Sequence, residues 1–471
     1  MIYNNHSKKK QLIFEGKLSL KQNVSEFLNK IDNNKHLNAF NFINLNVLEQ
    51  AEEIEQKIKN NTAGILAGMV VAVKDNILQK DIPNTCSSKM LKNYISVYNA
   101  TVIERLINED AIIIGRTNCD EFAMGSSNEN SYFGNVLNPH DNQRVSGGSS
   151  GGSAVAVASK LCDTALGSDT GGSIRQPAAF CGVIGVKPSY GLVSRFGLTA
   201  FASSFDSIGC FSNNIDDAAL VLQVISGNDP KDSTSVIAEK FNFSAIDNFN
   251  KLKIGLPKEY FSDGLDSEIK KQINTFIDRI KSLGHEIIDI NLPNTEYSIA
   301  TYYILTTAEA SSNLERFDGV RFGYRSSSST SLSDMFINSR TEGFGDEVKR
   351  RIMLGTFVLS TGYYDAYYRK AQKVRRLIKD DFNKAFQSVD IILTPTTPTV
   401  AFKIGEKSTD PLEMYLSDIY TTSANLAGIP GINIPIGNNK DGLPIGAQLM
   451  AKQFDEKILF SFIKQIDEFL K

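Results

Sequence analysis

The spacing of apolar residues changes along the chain between helical and strand-like patterns. Apolar side chains recur every three to four positions across residues 46–60, which predicts an amphipathic helix. The apolar runs at residues 68–73 and 111–114 instead predict buried strands. The same reasoning predicts further helices at 101–109, 153–161, 174–180, 266–283, 296–315, 344–387, 418–426 and 456–470, and further strands at 253–256, 285–290, 389–393 and 445–450. This alternation predicts an α/β fold with a central sheet.

Composition narrows the class of protein. The 471 residues could form about three domains of ~150 residues or one large α/β domain, and no change in composition marks a boundary. The net charge of -3 argues against a general nucleic-acid-binding surface. No apolar segment has the ~18 residues of a membrane span, and the N-terminus lacks the apolar core of a secretory signal. The five cysteines show no CxxC spacing, so we expect free thiols in a reducing cytosol.

Two turns rich in glycine and serine carry the clearest chemical signal. They occupy residues 147–153 (GGSSGGS) and residues 170–173 (TGGS). Glycine lets the backbone approach a ligand closely, and the start of a helix leaves amide N–H groups without partners. Ser173 closes the second turn just before a predicted helix, and we expect Asp169 to hold that turn through its side-chain oxygens. Hydroxyls beside free amides favour acyl transfer, with Ser173 as the better nucleophile.

A serine nucleophile needs a base, and two residues are candidates. His140 is the histidine nearest the turns in sequence, although a surface loop is the simpler interpretation of its polar surroundings. Lys74 ends the apolar run at 68–73, where burial would penalise its charged form and lower its pKa. A decrease from ~10.4 to near 7 requires ~4–5 kcal/mol of differential solvation between the charged and the neutral forms. The alternative is a surface lysine paired with Asp75, and the pattern alone does not decide between them.

The glycine turns also permit a different class of function. A glycine-rich loop at the start of a helix can bind phosphate, which would make the chain a nucleotide-binding module. No GK[ST] follows either turn and no GxGxxG is present, so this interpretation is weak.

Lys74 and the turns at 147–153 and 170–175 together resemble the amidase signature family, and the spacing between them fits that family. The resemblance implies a central mixed sheet flanked by helices on both faces. It also implies a single domain over 1–471. This domain would comprise an N-terminal helical segment (about 1–62), a catalytic core (about 63–220) and a C-terminal part (about 221–471) that completes the sheet and the substrate pocket.

The family's catalytic set is a Ser–cis-Ser–Lys triad, and each member has a matching residue here. The resemblance implies that Ser173 is the nucleophile and that Lys74 is the general base. Ser149 would bridge them, with a cis peptide bond between Gly148 and Ser149. The implied oxyanion hole consists of the amides of Thr170, Gly171, Gly172 and Ser173.

Several segments, some of them outside the catalytic core, resemble one branch of the family, the glutaminase subunits of tRNA-dependent amidotransferases. They are residues 121–131, 191–203, 308–325, 343–373 and 414–431. In that branch one arginine and one aspartate bind the amino-acid part of glutamine, and Arg351 and Asp418 match them, with Arg350 as the alternative arginine. Guanidinium pairs bidentately with a carboxylate, and a carboxylate pairs with an ammonium group. The resemblance adds Gly125 and Ser126 to the substrate site, together with Tyr302 or Tyr303.

The same resemblance implies partners and a setting. Glutamine would be the substrate, within a heterotrimer with the B and C subunits of the amidotransferase and without membrane contact. The B subunit would contact most of the tRNA and would use ATP and Mg²⁺ to activate Glu-tRNA(Gln) or Asp-tRNA(Asn), so this chain would need no cofactor. A cytoplasmic location is expected, with an organelle left open. A stand-alone amidase acting on small amides is the alternative function.

Ser146 and Cys210 replace prolines common in the family, and neither position carries one of the implied roles.

Overall fold

A computed structural model describes residue 3 and residues 5–237, 251–261 and 264–470. Its α-helices are α1 (His6–Phe14), α2 (Leu20–Asn33), α3 (Val47–Lys59), α4 (Thr101–Asn108), α5 (Gly151–Ala158), α6 (Arg175–Cys181), α7 (Ile215–Ile225), α8 (Ser267–Ser282), α9 (Ser298–Asn313), α10 (Leu332–Gly343), α11 (Asp346–Leu359), α12 (Lys370–Ala385), α13 (Pro411–Tyr415), α14 (Thr422–Ala427) and α15 (Glu456–Leu470). Its strands are β1 (Phe40–Ile43), β2 (Val70–Lys74), β3 (Ile112–Thr117), β4 (Leu137–Asn138), β5 (Asp141–Val145), β6 (Thr164–Asp169), β7 (Ile184–Lys187), β8 (Ser207–Ser212), β9 (Lys253–Pro257), β10 (Glu286–Ile290), β11 (Ile391–Pro395), β12 (Gly431–Asn438) and β13 (Pro444–Met450).

Among these residues, one mixed sheet of eleven strands runs through the molecule in the order β1-β3-β2-β6-β8-β7-β12-β13-β11-β9-β10. Strands β3, β2 and β6 are parallel, as are β11, β9 and β10, while the strands between these groups pair antiparallel. Parallel neighbours end at the same edge of a sheet. The carboxyl ends of β2 and β6 therefore lie side by side, and the residues just beyond them can form one site.

Alternation along the strands separates two hydrophobic cores. In β2, Val71 and Val73 face one core, and Val70 and Ala72 face the other. Helices α2, α3 and α5 pack against the second core, and helices such as α7, α8 and α9 pack against the first. This arrangement confirms the expected mixed sheet with helices on both faces. No helix in the described ranges is long and apolar enough to cross a membrane.

Most of the predicted elements are present, with two differences. The helix predicted at 344–387 is interrupted after Leu359 by a turn containing Gly362, whose φ of 89° a side chain would oppose. The helix predicted at 418–426 begins later, at Thr422, because Asp418 ends a separate 3-10 turn. The pattern of apolar residues did not predict the strands β1, β4, β5, β6, β7, β8 and β12. All five cysteines are free and buried, as expected for structural thiols.

Candidate active site

Lys74 lies at the carboxyl end of β2 and is fully buried. Its Nζ donates hydrogen bonds to the hydroxyls of Ser149 (2.7 Å), Ser150 (2.8 Å) and Ser168 (3.0 Å). Burial penalises the charged ammonium and lowers the pKa of Lys74 from its ordinary value. The alternative of a surface lysine paired with Asp75 is wrong. A lysine without a direct carboxylate partner, enclosed by hydroxyls, can act as a neutral base.

The first turn lies directly above Lys74. Its peptide bond between Gly148 and Ser149 is cis, as the family resemblance implied. The amide of Gly148 donates to Gln176 Oε1 at 3.0 Å, and Gln176 Nε2 donates to the carbonyl oxygen of Ser126 at 2.6 Å. Gln176, on α6, thus ties the first turn to the loop that contains Gly125 and Ser126.

The second turn follows β6 and leads into α6. Asp169 accepts hydrogen bonds from the amides of Gly172 (2.9 Å) and Ile174 (3.1 Å), and it pairs with the guanidinium of Arg175 at 3.0 Å. Burial alone would raise the pKa of Asp169, but the charge and hydrogen bonds of Arg175, together with Lys187 and Asn425, outweigh burial and hold it at about 2. The expectation that Asp169 holds this turn is confirmed.

Ser173 lies at the end of this turn, close to the first one. The amide of Ser150 donates to the carbonyl oxygen of Ser173 at 3.2 Å, so the two turns are directly joined. Within the described residues, the Ser173 hydroxyl has no protein hydrogen-bond partner, and it makes no bond to Ser149. A hydroxyl that is nearly buried and uncommitted is available to a ligand in the pocket.

The amides of the second turn differ in availability. The Gly172 amide is already used by Asp169. In the described part of the chain, the amides of Thr170, Gly171 and Ser173 have no acceptor. Gly172 has a φ of 142°, and a Cβ there would collide with Thr421, so this position requires glycine. Of the four amides expected to form an oxyanion hole, three are therefore free donors in this structure.

Arg351, on α11, is 3% exposed and surrounded by aromatic rings. Its Nε donates to Glu347 Oε1 at 2.7 Å, and within the described residues its two terminal nitrogens have no protein partner. Arg350 differs, because 43% of its side chain is exposed. The structure therefore favours Arg351 over Arg350 as the buried cation of the pocket.

Asp418 is buried next to the second turn. Its Oδ2 accepts a hydrogen bond from the Ser126 hydroxyl at 2.5 Å, and its Oδ1 has no partner among the described residues. A Cβ built on Gly172 would lie 3.2 Å from Oδ1, so this oxygen faces the turn that carries Ser173. Burial raises the pKa of Asp418 to about 7, despite the opposing hydrogen bond from Ser126. A buried acceptor without a partner fits a cationic group of a ligand.

The remaining sequence candidates have different outcomes. His140 is exposed on a hairpin, where its ring contacts the carbonyl oxygen of Cys181 at 3.0 Å, so the surface interpretation fits it better. Ser168 and Gln176 were not predicted, because contacts between residues far apart in the chain leave no pattern along the sequence. Glu347 could have been found, since an acid four residues before an arginine on a predicted helix signals an ion pair.

Comparison with known proteins agrees with this geometry. A model of the Amidase family matches residues 22–460, so the chain belongs to the amidase family. It is similar to the A subunit of glutamyl-tRNA(Gln) amidotransferase from Chlorobium phaeobacteroides, with 50% identity over 99% of each chain. The corresponding protein of Thermoanaerobacter pseudethanolicus is 56% identical over 88% of this chain and 85% of the relative. The crystal structure of the A subunit from Thermotoga maritima matches with a TM-score of 0.79 and 40% identity, over 96% and 92% of the two chains.

Proposed function

We propose that this chain is the glutaminase subunit of a tRNA-dependent amidotransferase, which hydrolyses glutamine to glutamate and ammonia. One observation carries the proposal: the buried anion Asp418, with one free oxygen, lies beside the turn of an uncommitted serine. The buried cation Arg351, with two free terminal nitrogens, lies against Tyr303, whose neighbour Tyr302 packs on the same turn. The terminal nitrogens of Arg351 suit the α-carboxylate of an amino acid, and Asp418 Oδ1 suits its α-ammonium group. A simple amide would leave the terminal nitrogens of Arg351 and the Oδ1 of Asp418 without hydrogen-bond partners, which is costly in a buried site.

In the proposed mechanism, protons move from Ser173 to Ser149 and from Ser149 to Lys74. The Ser173 Oγ attacks the side-chain carbonyl carbon of glutamine, and the free amides of the second turn stabilise the oxyanion. The carbon–nitrogen bond then breaks, and ammonia leaves with a proton returned through Ser149. Water hydrolyses the resulting glutamyl ester with Lys74 again as the base. The lowered pKa of Lys74 supports this role, because only a neutral amine can accept the proton.

The partners belong to the same proposal. The relatives are named as subunits of a glutamyl-tRNA(Gln) amidotransferase, which supports a heterotrimer of this chain with the B and C subunits of such an enzyme. The ammonia would pass to a partner that activates Glu-tRNA(Gln), or Asp-tRNA(Asn), with ATP and Mg²⁺. This chain would then need no cofactor, and the net charge of -3 agrees with tRNA binding mainly by the B subunit. We propose a cytoplasmic location for this assembly, with an organelle as the alternative.

Replacement of the proposed nucleophile tests the mechanism. We expect Ser173→Ala to reduce ammonia release from glutamine by the purified complex by at least about 1,000-fold, as for other enzymes that lose their nucleophile. Ser159→Ala is a matched control, because it removes a serine hydroxyl at the end of α5 that has no partner in the described structure. Undiminished activity of Ser173→Ala would refute the mechanism. Hydrolysis of small amides in preference to glutamine would instead indicate a stand-alone amidase.

The phosphate-binding interpretation of the second turn has little support. The Asp169 carboxylate accepts the amides of Gly172 and Ile174 where α6 begins. An anion of the protein itself thus occupies the position that a phosphate would need. Calorimetry with ATP and the isolated chain is expected to give no binding signal.

A further inference from the structure

Glu347 lies in the first turn of α11 and joins three groups around the proposed substrate pocket. Its Oε1 accepts hydrogen bonds from Arg351 Nε at 2.7 Å and from the Tyr415 hydroxyl at 3.2 Å. Its Oε2 pairs with Arg350. The Glu347 side chain is only 9% exposed. This one buried carboxylate therefore holds the Nε of Arg351, and it leaves the two terminal nitrogens free for a ligand.

Aromatic rings restrict the guanidinium further. Its central carbon lies 5.2 Å from the ring centre of Tyr303, 5.5 Å from Phe201 and 5.7 Å from Tyr415. Tyr303 and Tyr415 also stack on each other, with ring centres 3.8 Å apart. Because Glu347 bonds to both Arg351 and Tyr415, it holds the cation and one of the surrounding rings with the same oxygen.

We propose that Glu347 is a positioning residue that orients Arg351 to bind the α-carboxylate of glutamine. This inference rests on the proposed glutaminase function. Because Nε of Arg351 is already bonded to Glu347, bidentate recognition of a carboxylate here has to use the two terminal nitrogens. The hydrogen bond from Nε to Glu347 leaves the edge with the two terminal nitrogens free, and it fixes the direction in which that edge faces. Without Glu347, Arg351 would keep its aromatic neighbours but lose this directional contact.

The charge of Glu347 also has a consequence for affinity. Arg350 and Arg351 are neighbours in the chain, and one carboxylate bonds to both. Its loss would leave the buried guanidinium without its anionic partner, and Arg351 could turn toward other acceptors. We therefore expect weaker glutamine binding, whereas the Ser173 turn, which Glu347 does not contact, would keep its structure.

The test compares two substrates on the full-length chain in its complex. Glutamine has the α-carboxylate, and 4-aminobutanamide is the same amide without it. We expect Glu347→Gln to raise KM for glutamine about tenfold with kcat within about twofold, the effect of losing one charged hydrogen bond in substrate binding. Cleavage of 4-aminobutanamide, however slow, should be unchanged. Glu342→Gln is the matched control, since Glu342 lines the same cavity of about 360 Å³ as Glu347 and bonds to Tyr324 and Ser326 instead of Arg351.

Each result has a distinct meaning. A selective rise in KM for glutamine supports the positioning role. An unchanged KM overturns it, and an equal loss with both substrates overturns it in favour of a general structural role for α11. If the unaltered complex releases no ammonia from glutamine, the proposed function itself is wrong. If the unaltered complex is active and Glu347→Gln behaves like the unaltered protein, only the positioning role fails.

Discussion

The replacement Arg175→Met removes the charge that balances Asp169 beneath the second turn. Arg175 and Asp169 are both inaccessible to solvent, and Nε and Nη2 bond to the carboxylate at 3.1 and 3.0 Å. The arginine also donates to the backbone or side chains of Thr421, Asn425 and Gln448. Methionine fills a similar volume without any donor. The variant would therefore keep an anion buried beside the turn that carries Ser173.

The cost follows from the burial of the pair. Removal of one partner from a buried ion pair destabilises a protein by about 3–5 kcal/mol, because the other charge stays behind. A pKa of about 2 lies below the ordinary 3.8, so the ionised carboxylate stabilises the fold at any pH above 3.8, and this contribution disappears as the pH falls toward 2. In Arg175→Met the pKa of Asp169 should rise, since the largest of the contributions that oppose burial is removed. Protonation of Asp169 then removes the unpaired buried charge. The loss of stability of the variant should therefore be smaller near pH 5 than near pH 8.

Thermal unfolding of the full chain measures this effect. For about 470 residues, 1 kcal/mol corresponds to a shift in Tm of roughly 1 °C, so we expect a decrease of about 3–5 °C near pH 8. Arg376→Met is the control, because its exposed pair with Asp380 should contribute less than about 1 °C. Adding Asp169→Asn to Arg175→Met should cost less than the sum of the two single changes. Strict additivity, or a decrease no larger than that of Arg376→Met, would refute the argument.

Two further predictions concern the chemistry. Lys74→Arg keeps a positive charge but cannot act as a base, so we expect ammonia release to fall by at least about 100-fold. In the unaltered protein, kcat/KM should decrease as the pH falls through the lowered pKa of Lys74, and a variant with the same rate and pH profile would contradict the assigned role. Asp418→Asn should raise KM for glutamine by about tenfold or more. Because the pKa of Asp418 is raised to about 7, KM of the unaltered protein should rise as the pH falls below 7, whereas KM of Asp418→Asn should not. Steady-state assays of the unaltered protein and of Asp418→Asn, at pH values above and below 7, measure this difference. A pH-dependent KM in the variant would exclude Asp418 as the titrating group.

The sequence identified the residues whose signal is local. Lys74 ends an apolar run, and Ser173 closes a glycine turn before a predicted helix, so the pattern made both of them candidates. The pattern alone did not decide the role of Lys74, and the role of Ser149 came only from the family resemblance. Strands β6 and β8 were not predicted, for a physical reason. Strand β6 reads TALGSD, and β8 reads SIGCFS, so neither has the run of β-branched residues that marks a buried strand. Small residues are needed there because a Cβ at Gly209 of β8 would collide with the carbonyl oxygen of Val186.

The geometry of the substrate pocket, unlike the identity of its residues, could be found only from the tertiary structure. Helix α9 sets the distance between the turn that carries Ser173 and the guanidinium of Arg351. Tyr302 and Tyr303 are consecutive residues of α9, and their side chains diverge by about 100° around the helix axis. The Tyr302 ring packs on Gly171, where a Cβ would come within 2.6 Å of it, while the Tyr303 ring packs on Arg351. One turn of α9 thus spans from the amides beside Ser173 to the cation proposed to bind the α-carboxylate. No spacing in the sequence relates Arg351 to Ser173, but α9 fixes the distance between them. This separation suits glutamine, because its amide and its α-carboxylate lie at opposite ends of the molecule.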